Sequence, residues 1–204
     1  MEKSKQANLV YDKIADSYAG AFSNPSEYID EFLSLIPKNG KILDVGCGTG
    51  VDAGYMQSKG FEVIGIDLSK EMLKLAKERF PQIDFKLADI RKLEFTSNSF
   101  NGILASCSLI HIPKDDVRQT LKKFHEILKN NGIIYIALQG GKSEEIFIDE
   151  PFKPNEKLFL NVFSLEEIRN LLIWTGFSID KIHQREPKSE KELKFTKLFI
   201  IAKK

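Results

Sequence analysis

A chain of 204 residues with a formal net charge of +1 has no overall attraction for a polyanion, so we do not expect nucleic acid as a partner. The length suits one domain, residues 1–204, and leaves little room for two. No stretch approaches the ~20 consecutive apolar residues that span a bilayer, and the N-terminus lacks the apolar segment of a secretion signal, so we expect a cytoplasmic protein without membrane contact.

The two cysteines, Cys47 and Cys107, cannot form a disulfide framework, and the three histidines and two thiols show no metal-ligand spacing. We therefore expect no bound metal. Both cysteines are expected to be small, buried side chains.

Short β-rich runs alternate along the chain with amphipathic helical stretches, a pattern typical of a parallel sheet covered on both faces. The segment 1–36 is predicted to be an N-terminal helical cap, in which Tyr11 and Tyr18, seven residues apart, share one helical face. Asn24 followed by Pro25 predicts the start of a second helix. Strands are predicted near residues 41–46, 62–67, 83–88, 100–106 and 132–138.

The later helices carry recognisable start and stop residues. One helix is predicted to begin at Ser69, and another, with apolar residues at helical spacing from Val117 to Leu128, is predicted to end at the "KNNG" of residues 129–132. A capping box at Ser164 predicts a further helix that ends at Gly176.

The C-terminal part of the chain contains two alternating runs, 177–186 and 193–202, joined by a polar stretch, 187–192. These runs predict an antiparallel hairpin that completes the sheet. The segment 140–163 has no clear assignment and is longer than an ordinary connection. Segments of this kind tend to be lids or binding loops, so we expect it to cover the substrate.

The stretch "KILDVGCGTG", residues 41–50, places an acid, Asp44, just before three glycines, Gly46, Gly48 and Gly50. A strand, a glycine turn and a helix present backbone N–H groups to a ligand and let it approach closely. The dinucleotide fingerprint G-x-G-x-x-G would need its third glycine at position 51, where this chain has valine. Asp44 would also repel a pyrophosphate but suits a ligand that carries an ammonium and a sulfonium.

This stretch resembles the first motif of the class I S-adenosylmethionine-dependent methyltransferases, an acid followed by G-x-G-x-G. The stretches "VIGIDLSKEML", "FKLADIRKLEF", "SFNGILASCSLIHI" and "ILKNNGIIYI" resemble the family's later motifs, in the family's order. The similarity covers roughly residues 8–139. It implies a Rossmann-like, doubly wound α/β fold with a seven-stranded, mainly parallel sheet in the order 3-2-1-4-5-7-6, the last strand antiparallel.

The resemblance implies S-adenosyl-L-methionine as cofactor and S-adenosyl-L-homocysteine as product. Asp67 would accept hydrogen bonds from the ribose hydroxyls, and Asp89 would contact the adenine amino group. The alternatives are a helix cap for Asp67 and a solvated loop acid for Asp89. The predicted cofactor-binding residues are Asp44, Gly46, Cys47, Gly48, Gly50, Asp67, Leu68, Met72, Asp89, Ile90 and Ser106.

Three residues are candidates for catalysis. His111 lies just past the fourth predicted strand, where a base with a near-neutral pKa would suit deprotonation of an acceptor. Tyr11 or Tyr18 would reach the reaction centre if the N-terminal segment closes over the donor, as in similar methyltransferases. The alternatives are a structural histidine and a helix that only packs on the sheet.

The predicted function is transfer of a methyl group by in-line displacement to a small-molecule acceptor enclosed by residues 140–163. The phenylalanines of that segment offer apolar cover, and its acids repel phosphates. Cys107 follows a serine rather than a proline, and no Asn/Asp-Pro-Pro-aromatic motif occurs, which argues against nucleic-acid methylation. A non-catalytic partner of the same fold and, less favoured, an NAD(P)-dependent reductase remain open; the acceptor and the oligomeric state are not predicted.

Overall fold

The structure is a computed structural model that describes residues 3–189 and 192–204; the first two residues of the predicted cap and two residues of the predicted connection 187–192 lie outside it. Within these ranges the helices are α1 (Lys3–Ala21), α2 (Ile29–Ser34), α3 (Val51–Ser58), α4 (Lys70–Arg79), α5 (Lys114–Ile127) and α6 (Leu165–Trp174). The strands are β1 (Lys41–Val45), β2 (Glu62–Asp67), β3 (Asp84–Leu87), β4 (Phe100–Ser106), β5 (Leu128–Gly140), β6 (Glu144–Glu150), β7 (Lys153–Val162), β8 (Ser178–Arg185) and β9 (Thr196–Lys203).

The main sheet has seven strands in the order β3-β2-β1-β4-β5-β9-β8. Strands β1 to β5 pair in parallel, and β9 runs antiparallel to both of its neighbours. Strands β6 and β7 pair with each other outside this sheet. If only the seven strands of the main sheet are numbered, β8 and β9 become strands 6 and 7, and the order is 3-2-1-4-5-7-6. The predicted doubly wound, Rossmann-like fold with an antiparallel last strand is confirmed.

Each face of the sheet packs against its own layer, because successive residues of a strand point to opposite faces. In β4, Ile103 belongs to a core cluster that includes residues of α5 and α6, and the next residue, Leu104, belongs to a second cluster with residues of α2, α3 and α4. The order of the strands reverses between β1 and β4. In open α/β sheets, ligands bind beyond the carboxyl ends of the strands at this reversal.

The predicted helix caps at Ser69 and Ser164 are confirmed. Each side chain accepts a hydrogen bond from the backbone N–H three residues later, and both distances are 3.1 Å. Gly176, just after α6, has a φ of 100°, the left-handed conformation that ends helices. Local capping chemistry is therefore sufficient to place these helix ends.

Two helix boundaries were wrong. Helix α2 begins at Ile29 instead of after Asn24, because Ser26 donates its backbone N–H (2.7 Å) and its hydroxyl (2.6 Å) to the carboxylate of Asp52 in α3. These bonds tie the preceding residues to α3.

Helix α5 ends at Ile127, and Leu128 already belongs to β5. Asn131 does have a left-handed φ of 63°, as expected, but it lies in an irregularity of β5 between Leu128, which pairs with β4, and Ile133, where regular pairing resumes.

The segment 140–163 consists mostly of the β6–β7 hairpin, residues 144–162. Its turn is held by Glu150, whose carboxylate accepts hydrogen bonds from the N–H groups of Phe152 and Lys153, both at 2.7 Å. At the other end, Gly141 donates to the carbonyl of Phe163 at 3.0 Å, next to the end of β5. The excursion is therefore an ordered element above the carboxyl end of the sheet.

The close packing of β2 on β3 predicts a large effect of one added methyl group. A Cβ on Gly65 would lie 2.5 Å from the Phe85 ring and 3.0 Å from the Cys47 sulfur, so Gly65→Ala should destabilise the fold by about 1–3 kcal/mol. Gly20→Ala is the control, because its added Cβ would meet nothing within 4 Å. Near the end of α1 that change should be neutral or stabilise by up to about 1 kcal/mol. Urea unfolding measures both; equal midpoints for the two variants would contradict the packing described.

Candidate active site

A cavity opens beyond the carboxyl ends of β1 and β4, with α1 along one side. Seven of the predicted cofactor-binding residues line it, together with all three catalytic candidates: Gly46, Gly48, Asp67, Leu68, Met72, Ile90, Ser106, Tyr11, Tyr18 and His111. Asp44, Cys47, Gly50 and Asp89 do not line the cavity.

The glycine loop requires residues without a side chain. Gly46 has a φ of 72°, and a Cβ there would lie 2.5 Å from the Cβ of Ser108. Gly48 has a φ of 51°, and the space beside it is open, with only the Tyr18 ring at 4.0 Å from an added Cβ. Glycine avoids both the conformational cost and the overlap, and it leaves backbone exposed to a ligand in the cavity.

Asp67, the last residue of β2, organises the cofactor side of the cavity. Its carboxylate accepts one hydrogen bond from the N–H of Gly48 and one from the N–H of Ser69, both at 2.8 Å. Burial raises the pKa of Asp67, and these hydrogen bonds oppose the rise. Because each carboxylate oxygen can accept more than one hydrogen bond, Asp67 can still accept from ribose hydroxyls in the cavity.

Asp44 lies beneath the glycine loop and is only 2% exposed. Its Oδ2 atom is buried without a hydrogen-bond partner, and burial raises the pKa of its carboxyl, with the charges of Asp52 and Asp67 adding to the rise. A buried carboxylate oxygen of this kind is stabilised by a nearby cation or donor. The orphaned oxygen thus fits a cofactor that brings an ammonium group to this loop.

Asp89 is paired with Arg91, two residues later in the chain. Its carboxylate accepts from the guanidinium of Arg91, with Nη2 at 2.6 Å and Nε at 3.0 Å. Burial alone would raise the pKa of Asp89, but the hydrogen bonds from Arg91 lower it overall. Its neighbours Ala88 and Ile90 line the cavity and provide apolar contacts for a flat base.

The two cysteines differ. Cys47 is buried in the core cluster below the loop, as expected for a small structural side chain. Cys107 is exposed and lines the cavity, so the expectation that it would be buried was wrong. Its φ of 52° is left-handed, which turns the chain away from β4 immediately after Ser106.

His111, in a 3-10 turn after β4, forms hydrogen bonds through both ring nitrogens. Its Nδ1 lies 3.0 Å from the carbonyl oxygen of Phe159, and its Nε2 lies 2.8 Å from the hydroxyl of Tyr11. A carbonyl only accepts, so Nδ1 carries the proton and Nε2 accepts from Tyr11. Burial lowers the pKa of His111 to about 4 and raises that of Tyr11, so both groups are neutral at pH 7.

Tyr18 lies between Tyr11 and the glycine loop. Its ring meets that of Tyr11 edge-on, with 5.8 Å between centroids, and burial raises the pKa of its hydroxyl. The predicted common face of α1 therefore does lie toward the cavity.

Seven lining residues were not among the predicted site residues: Ala7, Asn8, Ile66, Ala88, Cys107, Ser108 and Ile112. Two of them could have been found, because Asn8 lies one helical turn before Tyr11 and Ser108 lies one turn before His111. Both also carry a buried oxygen without a hydrogen-bond partner, Oδ1 of Asn8 and Oγ of Ser108. Such atoms can be satisfied by donors of a bound ligand.

The described part of the chain contains no cluster of three or more His, Cys, Asp or Glu side chains placed to hold a metal ion. Over the same residues, the structure contains no helix with the length and apolar character of a membrane span.

Comparison with known proteins was consistent with this geometry. Residues 42–132 match a family model described as a methyltransferase domain. Over 193 residues the chain is 30% identical to a putative methyltransferase, YqeM, of Bacillus subtilis, covering 86% of this chain and 78% of the relative. Over 165 residues it is 31% identical to a demethylmenaquinone methyltransferase of Chlorobaculum parvum, covering 78% of this chain and 63% of the relative.

Among solved structures, a Burkholderia thailandensis 1,6-didemethyltoxoflavin-N1-methyltransferase with bound S-adenosylhomocysteine superimposes with a TM-score of 0.75. The match covers 100% of this chain and 91% of that one, at 19% identity. At this identity the likeness is one of fold.

The bonds of Asp67 predict a specific loss of cofactor affinity. Asp67→Ala removes a carboxylate that can accept from ribose and releases two loop N–H groups, so S-adenosylhomocysteine should bind about 10–150-fold more weakly, about 1.5–3 kcal/mol. The control is Asp180→Ala on exposed β8, outside the cavity lining. Calorimetric titration and a thermal melt of each variant separate affinity from stability. An unchanged dissociation constant in a folded Asp67→Ala variant would remove Asp67 from the ribose site.

Proposed function

Since the chain belongs to the class I S-adenosylmethionine-dependent methyltransferase family and is an enzyme of that family, we propose that it methylates a small molecule held beneath α1 and the β6–β7 hairpin. We propose further that Tyr11 and His111 together take up the proton that the acceptor releases. Tyr18 contributes a wall beside them.

One observation supports this proposal above the others. The hydrogen bonds of His111 join the end of β4 to Tyr11 of α1 and to the Phe159 carbonyl of β7. The end of β4, α1 and β7 thus meet at His111, which lines the cavity. The groups that join them, the Tyr11 hydroxyl and the His111 imidazole, are able to transfer a proton.

When bound, S-adenosylmethionine supplies a methyl group on a positively charged sulfur. Asp67 and the glycine loop bind and orient the cofactor, and the buried oxygen of Asp44 would hold its ammonium. The acceptor's proton passes to the hydroxyl oxygen of Tyr11 while Tyr11 gives its own proton to Nε2 of His111. The Phe159 carbonyl keeps the imidazole in the tautomer that can receive it. Alignment of the two reactants can contribute about 7–11 kcal/mol to the reaction.

The cover over the site is held by contacts that can break and re-form. Lys13 pairs with Glu156 at 2.6 Å, and Lys3 pairs with Glu145, both across the gap between α1 and the hairpin. Gln6 accepts from the N–H of Phe159 at 3.1 Å. Exposed ion pairs each contribute only about 0–1 kcal/mol. A cover tied in this way can open to admit the acceptor and close to exclude water.

The names of the relatives do not select one acceptor. One acts on demethylmenaquinone, another on a malonyl group of an acyl carrier protein, and another on phosphoethanolamine. The segment 140–163 carries five acids and three lysines, and this negative balance supports a small molecule over a nucleic acid.

Amide hydrogen exchange tests the cover. With S-adenosylhomocysteine bound, residues of α1 and of 140–163 should exchange more slowly, because the ligand fills the space beneath them, whereas the distant β8 should be unchanged. Tyr11→Phe removes the bond to His111 and should lower the basal protection of the hairpin; Tyr55→Phe, which removes a surface bond to Asp30, should not.

Equal protection of 140–163 with and without ligand would contradict the proposed cover. Tight, salt-dependent binding of RNA would contradict the small-molecule acceptor.

A further inference from the structure

A row of aromatic side chains runs from the cavity to the protein surface. Successive ring centroids are 5.1 Å apart between His111 and Tyr11 and 5.8 Å apart between Tyr11 and Tyr18. They are 4.5 Å apart between Tyr18 and Phe22 and 6.0 Å apart between Phe22 and Phe152. All four lie in the range of favourable aromatic contacts. The inner three rings line the cavity, so the row continues the wall of the site outward.

The outer end of this row is exposed. Phe22, directly after α1, is 44% exposed, and Phe152, in the turn between β6 and β7, is 39% exposed. They belong to the two elements that form the proposed cover, and buried Glu150 fixes the turn that carries Phe152. Exposed aromatic rings that continue a cavity wall mark the path by which an apolar ligand enters.

The side chains that line the cavity disfavour anionic acceptors. The described lining residues include no lysine or arginine, and Asp67 is the single carboxyl group among them. Lys197, buried near the end of β5, donates to Gln139 and to the Leu193 carbonyl, both at 2.7 Å, and does not line the cavity. No lysine or arginine of the lining would pair with a phosphate or carboxylate acceptor, so moving such an acceptor out of water is costly.

The Tyr11–His111 pair also limits the acceptor. Both ring nitrogens of His111 are engaged, so the acceptor's proton must pass through the neutral hydroxyl of Tyr11; burial, which lowers the pKa of His111 to about 4, makes the pair a weak base. A weak base suits a group whose proton is already acidic, such as a phenol or an enol, far better than an aliphatic alcohol.

We propose that the acceptor is a neutral, planar molecule with a hydroxyl on an aromatic or enolic ring, and that it enters between Phe22 and Phe152. This inference rests on the proposed function. The new bond forms between the acceptor oxygen and the methyl carbon, and the electron pair of the carbon–sulfur bond stays on sulfur. The hydroxyl proton passes to Tyr11 as the Tyr11 proton moves to Nε2 of His111. Atoms and charge balance without a further reactant.

Three matched probes test the acceptor class: 2-naphthol, 2-naphthyl phosphate and decahydro-2-naphthol, each titrated calorimetrically into the full chain saturated with S-adenosylhomocysteine. The second probe adds a phosphate to the same ring system, and the third removes planarity and acidity. We expect 2-naphthol to bind at least about 10-fold more tightly than either of the others.

The entrance is tested with the double variant Phe22→Ala, Phe152→Ala, which should bind 2-naphthol about 5–10-fold more weakly and S-adenosylhomocysteine unchanged. Trp174→Ala is the control, since Trp174 is exposed on α6 and outside the row. A thermal melt checks that each variant is folded. Phosphate binding equal to or tighter than naphthol binding would overturn the acceptor class. An unchanged naphthol affinity in the folded double variant would overturn the entrance.

Different results would contradict the proposed function and the proposed acceptor class. If residues 140–163 gain protection with S-adenosylhomocysteine but the naphthol preference is absent, the cover stands and the acceptor class is wrong. If the protection is absent, the proposed function itself is wrong.

Discussion

The two ring nitrogens of His111 hold together the parts of the chain that enclose the cavity. Nδ1 donates to the hairpin at Phe159, Nε2 accepts from α1 at Tyr11, and the backbone N–H of His111 donates to Ser108 after β4. The other described links between α1 and the hairpin include exposed ion pairs of small energy. The geometry that closes the site is therefore also the geometry that prepares a proton acceptor, and neither can change without the other.

One half of the cavity is built on the main sheet, and the other half includes elements added to it. On the cofactor side, Asp67 ties Gly48 to Ser69, so the glycine loop and the start of α4 are positioned by the sheet itself. On the opposite side, the wall comes from α1 and from residues 106–112, and the β6–β7 hairpin, outside the main sheet, contacts this wall through the Phe159 carbonyl on His111. A common cofactor can thus be kept by a rigid scaffold while the acceptor is determined by elements added to it.

The sequence predicted what local chemistry dictates. The sheet order, the glycine loop and the caps at Ser69 and Ser164 follow from strand patterns, left-handed backbone and side-chain capping. The failures arose where a distant contact decides: Ser26 is tied to Asp52, which delays α2, and the β5 pairing shortens α5. The exposure of Cys107 and the hairpin at 144–162 likewise depend on packing that periodicity does not encode. The nicotinamide alternative, disfavoured by the glycine spacing, gives way to the methyltransferase family.

The most direct measurement of this account is the protonation state of His111, by NMR of protein with 15N-labelled histidine. The chain has three histidines, so variants at His125 and His183 assign the signals. The burial and hydrogen bonds of His111 predict a neutral imidazole at pH 7 with its proton on Nδ1, titrating at about pH 4. A proton on Nε2 at pH 7, or an ordinary titration near about pH 6.5, would contradict it.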